Sequence, residues 1–166
     1  YLTYLDGNFT QEQHALIKEK GVSWSGSYFF FVKEKVGASV YLGEDATNER
    51  WIAGPWWVLS FTPKLFLLSE FDFQEKKTKA TSITQRGYVM SHRLGFEVVQ
   101  GLIPFVSFDK KYLDRNDPTT EQDAYGLGLQ LFPRPHWEIV TSWQKEKLIL
   151  SQRNSDLLWL MLHFYL

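Results

Sequence analysis

Apolar and polar residues alternate with a period of two along most of the chain, the periodicity of strands with one face in an apolar medium. Segment 156–166 puts Leu158, Leu160, Leu162, Phe164 and Leu166 on one face. Segment 136–147 sets Trp137, Ile139, Thr141 and Trp143 against Glu138, Val140, Ser142 and Gln144. Segment 124–132 sets Tyr125, Leu127, Leu129 and Leu131 against Gly126, Gly128 and Gln130. In 87–98, Tyr88, Met90, Leu94, Phe96 and Val98 oppose Ser91, Arg93, Gly95 and Glu97. Upstream, Leu65, Leu67, Phe71 and Phe73 oppose Lys64, Glu70, Asp72 and Gln74. Trp51, Ala53, Trp57, Leu59 and Phe61 form one face, as do Val36, Ala38, Val40 and Leu42. Trp24, Gly26, Tyr28, Phe30 and Val32 oppose Ser23, Ser25 and Ser27. Segment 102–111 is a strand whose register the pattern leaves open. Pro104 lacks a ladder donor, which predicts a local irregularity there.

The connections are expected to alternate in length. Tight turns fall at 33–35, 62–64, 99–101 and 133–135, and longer polar loops at 44–50, 76–86, 113–122 and 151–155. Strands of about 9–14 residues suit a tilted crossing of a hydrocarbon layer, where soluble strands average about five or six. Nine such strands follow a polar, short-helical insertion at 11–20. Residues 1–5 read as the tail of a tenth strand, too short to cross by itself. The expectation is an all-β, antiparallel up-and-down transmembrane β-barrel, or part of one. It has nine to ten strands in one domain spanning residues 1–166, with N-terminal strands expected to be missing; the rival is a complete ten-stranded barrel with a short first strand.

Composition narrows the classes. Aromatic residues make up 17% of the chain, with 7 Trp, yet the mean hydropathy is −0.28. No apolar run approaches the roughly 20 residues of a membrane helix. There are no cysteines, so disulfides and thiolate chemistry are excluded. A net charge of −1 gives no reason to expect nucleic acid as a partner. Trp51, Trp56, Trp57 and Trp137 lie near predicted connections and read as interfacial belts. Trp159 reads as packing against another element.

The terminal stretch Leu158-Trp159-Leu160-Met161-Leu162-His163-Phe164-Tyr165-Leu166 resembles the C-terminal assembly signal of Gram-negative outer-membrane β-barrels, with Leu166 where that family usually ends on Phe. The hairpin from Gly126 through Pro133-Arg134-Pro135 to Glu138 resembles a periplasmic hairpin of porin-like proteins. The resemblance implies insertion by the barrel assembly machinery and a periplasmic C-terminus. Leu158, Leu160, Leu162, Phe164 and Leu166 would be the residues that carry the signal. It also implies the bacterial outer membrane as location, with the long loops outside the cell.

With the apolar faces assigned to outer-membrane lipid, the other face lines the interior. The candidate lining is Lys64, Glu70, Asp72, Arg93, Glu97, Gln130, Glu138 and Gln144, mixed charges that either select solutes or pair across the wall. His92 breaks the rule by sharing the face of Met90 and Leu94, which calls for a place near a rim or a shift in register. The interior face of the last strand is less polar (Leu157, Trp159, Met161, His163, Tyr165), and a plug or periplasmic partner would cover it. Asp114, Asn116, Asp117 and Glu121 offer hard oxygen ligands in one loop, though a solvated acidic loop is the favoured reading. Neither a zinc-protease histidine pair nor a phosphate loop occurs, and no spacing singles out a triad. No cofactor and no enzyme activity are expected. The favoured function is a porin-like channel for small polar solutes. One alternative is a barrel enclosing or anchoring a partner protein. A second is a soluble lipocalin-like lipid-binding barrel.

Overall fold

A computed structural model describes residues 2–7, 19–31, 34–148 and 153–164. The strands are β1 (Leu2–Gly7), β2 (Glu19–Phe29), β3 (Lys35–Glu44), β4 (Asn48–Ser60), β5 (Leu65–Thr78), β6 (Thr84–Phe96), β7 (Leu102–Tyr112), β8 (Glu121–Arg134), β9 (Trp137–Leu148) and β10 (Arg153–Phe164). They form one sheet in sequence order, each antiparallel to the next. β1 and β10 are its two ends, and among the described residues they are not paired with each other. The sheet is curved. Side chains on its concave face meet across two strands, as where Gln144 on β9 reaches Asp109 on β7 at 3.3 Å. Side chains therefore crowd on one face and splay on the other. Val140 and Ser142 are 1% and 2% exposed on the concave face, while Leu158 is 75% exposed on the convex face.

The register reveals the strand tilt. One convex residue per strand, from β2 to β10, forms the row Tyr28, Val36, Trp57, Ser69, His92, Phe108, Tyr125, Lys145, Asp156. This row crosses the chemistry obliquely. On the convex face of each strand, apolar residues give way to charge toward one rim. The last apolar positions are Val22, Leu42, Trp51, Phe73, Tyr88, Phe108, Tyr125, Trp143 and Leu158. Relative to the row, that boundary lies six residues toward the rim in β2 and two residues away from it in β10. A drift of about eight residues over eight strand steps corresponds to a tilt of about 35°, within the range that barrel closure imposes. The opposite boundary drifts in parallel, through Tyr28, Phe96, Leu131, Trp137 and Phe164. The convex face thus carries an apolar belt, roughly 20 Å tall on average along the tilted strands, with an aromatic-rich edge on both sides.

The predicted contrast between short turns and long loops is much weaker than expected. The polar segments 44–50 and 76–86 are mostly strand: β3 and β4 are joined by residues 45–47, and β5 and β6 by residues 79–83. Polarity there marks water, not the end of pairing, because the ladder continues with cross-strand partners of opposite charge such as Glu49 opposite Lys77. Arg86 and Glu75 make a 2.7 Å ion pair in the same zone. Residues 113–120 form the longest described connection, and Ser155 belongs to β10. The predicted helical insertion at 11–20 falls outside the described residues up to 18, while Glu19 and Lys20 begin β2. Pro104 causes no bulge. It stands opposite Leu129 in β8, and the ladder to β6 has already ended at Gly95–Phe105, so its missing N–H costs nothing. The irregularity lies instead at the end of β8, where the register shifts between Leu131 and Arg134. The turn after it uses His136 at φ 70°.

The turn at 45–47 is held by Asp45. Its carboxylate accepts from the backbone N–H of Thr47 and of Asn48, both at 2.6 Å, and from the Thr47 hydroxyl at 2.8 Å. Burial opposes ionisation, but these hydrogen bonds outweigh it and lower the pKa from 3.8 to about 2. The folded state therefore prefers the charged form. Its stabilisation, about 1–2 kcal/mol, is complete above about pH 4 and is lost as the pH falls through about 2. The stability difference between the wild type and Asp45→Ala is expected to shrink over that window in urea titrations. A difference independent of pH would reject the ionic origin.

Candidate functional site

The concave wall is built from rows in which large residues lie against small ones. Ser60, Phe66, Gly95, Phe105, Gly128, Ser142 and Trp159 are successive register partners from β4 to β10. The Phe66 ring lies where a Cβ on Gly95 would be, and the Phe105 ring occupies the same place at Gly128. Trp56 covers Gly37 in the same way. Rings laid flat on glycines satisfy the wall's packing without projecting into the interior.

Charge is concentrated in the neighbouring rows. Trp56, Glu70, Ser91, Asp109, Ala124 and Glu146 form one row from β4 to β9. It carries carboxylates on alternate strands. Asp72 is two residues beyond Glu70 on the same face, and its Oδ1 is buried without a hydrogen-bond partner. Ser91 donates to Asp109 at 2.5 Å and Gln144 donates to the other oxygen. Arg93 sits one row away, its guanidinium 4.2 Å from the centre of the Phe105 ring, between Asp109 and Glu138. Glu138, 7% exposed, accepts from Gln130 and lies 3.0 Å from His163 Nδ1. Fixed donors thus surround Glu138 and Asp109, whereas Glu70 is exposed on the concave side.

Of the eight residues expected to line the interior, the structure puts Glu70, Asp72, Arg93, Gln130, Glu138 and Gln144 on the concave face within strands. Lys64 and Glu97 correct that expectation. Both lie outside the strands at the turn rim, where Lys64 donates to the Val98 carbonyl at 3.3 Å and Glu97 accepts from the Gly101 N–H at 3.0 Å. Lys64 ties its turn to the next, and Glu97 holds its own turn closed. Sequence reasoning missed Asp109, since the register of its strand was open, and Trp56, which was assigned to a belt. Trp56 is concave-facing with the Lys35 ammonium 5.1 Å from its ring. Trp57 is convex but central, so of the four tryptophans expected in belts Trp51 and Trp137 lie at belt edges. Trp159 packs on the concave side opposite Ser142. In the loop at 113–120, Asp114 and Asp117 accept from the loop's own backbone and Glu121 pairs with Lys110 at 2.6 Å.

His92 corrects a second expectation. It is neither at a rim nor out of register, but lies midway between Tyr88 and Phe96 on the convex belt. Its Nδ1 is 2.8 Å from the Ser69 hydroxyl, and its ring stacks on Phe108. A serine–histidine pair suggests half a hydrolytic triad, but Ser69 is 4% exposed, out of reach of a substrate. The pair satisfies two polar groups inside the apolar belt. Of the predicted assembly-signal residues, Leu158, Leu160, Leu162 and Phe164 are all convex and exposed. Leu166 lies outside the described residues. A soluble lipid-binding barrel would keep its apolar belt on the concave side, and here the exposed apolar belt is convex.

No protein-family model and no curated protein matches the sequence. Two solved structures share the fold. "KdgM porin in complex with disordered oligogalacturonate" aligns with a TM-score of 0.63 at 10% identity, covering 90% of this chain and 77% of that one. "KdgM porin" aligns with a TM-score of 0.60 at the same identity and coverage. The chain therefore has a porin-type fold: an antiparallel up-and-down β-barrel, or part of one.

Proposed function

We propose that the protein is an outer-membrane channel that passes small polar solutes along its concave wall and favours cations. The apolar belt with aromatic edges supports a membrane position, since only a lipid phase accommodates so much exposed apolar surface on the convex side. The observation that carries the cation preference is the row with Glu70, Asp109 and Glu146 at one register level, with Asp72 beside it. Arg93 lies one row away and the Lys35 ammonium lies 5.1 Å from the Trp56 ring, while Arg50, Lys76 and Lys111 lie nearer the loop rim. Rings of carboxylates favour cations in pores. The KdgM porin holds oligogalacturonate, an acidic chain; the row of carboxylates here disfavours such a polyanion.

The test is conductance in a planar bilayer with a potassium chloride gradient. A cation-selective reversal potential is expected, abolished in the triple variant Glu70→Gln/Asp109→Asn/Glu146→Gln. Anion selectivity in the wild type would reject the lining. A folded barrel without conductance would favour the second reading, a scaffold around a partner, which Leu157, Trp159 and Met161 on the concave face of β10 support.

A further inference from the structure

The convex belt is not smooth. A groove of about 460 Å³ crosses it from β5 to β9. Its lower end, at Leu67, His92 and Leu94, lies at mid-belt, and it passes Val106 and Leu127. Its upper end lies at Trp143 and Lys145, where apolar residues give way to charge. Because the strands tilt, a path along the register rows climbs from the middle of the belt to its charged edge. That is the path of a lipid chain, with its headgroup at the interface and its tail toward the bilayer centre. Lys145 is exposed and makes no ion pair among the described residues, although Asp156 stands opposite it on β10. Two other cations at this level are ion-paired: Lys110 with Glu121 at 2.6 Å and Arg86 with Glu75 at 2.7 Å.

We propose that this groove seats one acyl chain of an anionic membrane lipid, with the lipid phosphate against Lys145. Apolar lining supplies affinity that grows with each buried methylene, and the unpaired ammonium supplies the preference for negative charge. Phosphate against an ammonium is a charge-assisted contact at the low-dielectric edge of the belt. The inference rests on the membrane-spanning reading, which the mobility of unboiled against boiled protein tests separately.

The experiment is native mass spectrometry of the full chain, released from nanodiscs containing equal phosphatidylglycerol and phosphatidylcholine with identical chains. One phosphatidylglycerol is expected to be retained severalfold over phosphatidylcholine. Lys145→Gln should abolish the preference while still retaining a lipid, and Asp156→Asn should increase it. Leu94→Trp, which fills the groove on a face where a large apolar residue is tolerated, should abolish retention with the unboiled mobility unchanged. Equal retention of the two lipids by the wild type, or undiminished retention by folded Leu94→Trp, would overturn the proposal. So would a second copy of the chain occupying the groove, seen as a dimer that Leu94→Trp dissociates.

Discussion

Leu129→Arg is expected to destabilise the barrel in lipid vesicles by about 2–4 kcal/mol, while Gln130→Arg, one residue along, stays within about 1 kcal/mol. The two positions differ only in face. Leu129 is convex, opposite Pro104 and Thr141, and lies between the belt edges at Tyr125 and Leu131. A guanidinium there loses water and finds no partner. Gln130 is concave and already donates to Glu138, so an arginine would keep a carboxylate within reach. Urea unfolding in vesicles gives the free energies, and the unboiled gel band reports the folded fraction. Equal costs at the two positions would mean that the convex face does not meet lipid.

Gly128→Val is expected to cost about 1–3 kcal/mol by overpacking. Its Cβ would fall 2.1 Å from the Phe105 ring, far inside contact distance. The ring has little freedom to move. Phe105 is 4% exposed, and the Arg93 guanidinium lies over it. Phe105→Ala should rescue Gly128→Val, so the double variant is more stable than the sum of the single effects predicts. A double-mutant cycle on unfolding free energies measures that coupling. A coupling near zero would show that the ring yields to the side chain and that the flat packing is not a constraint. Loss of the ring should also alter the concave electrostatics, since Phe105 supports Arg93 between Asp109 and Glu138.

How legible the molecule was from its residues depends on range. The faces of β6, β8, β9 and β10 could be read directly, because a period of two assigns each side chain without knowledge of its neighbour. Six of the eight residues expected to line the interior take the concave face within strands, as parity alone implied. Lys64 and Glu97 had the correct parity but lay beyond the strand ends, and parity carries no information about where pairing stops. The loop lengths failed for the same reason: charged residues at 44–50 and 76–86 were read as loop, whereas backbone hydrogen bonds persist in water when cross-strand charges match. Asp109 was missed because Pro104 left the register open, and only the ladder to β8 fixed it.

The sequence by itself determined the all-β class, the alternation of two unlike faces and the apolar character of the terminal strand. These are properties of single strands, set by side-chain chemistry at a period of two. Tertiary structure alone decided what depends on which residues stand opposite one another. It set the tilt, and with it the oblique path of the convex groove to Lys145. It laid Phe66 and Phe105 on glycines of neighbouring strands. It also brought Ser69 to His92, and aligned Glu70, Asp109 and Glu146 in one row. Register is a relation between strands, and a linear pattern holds no coordinate for it until backbone hydrogen bonds fix the pairing.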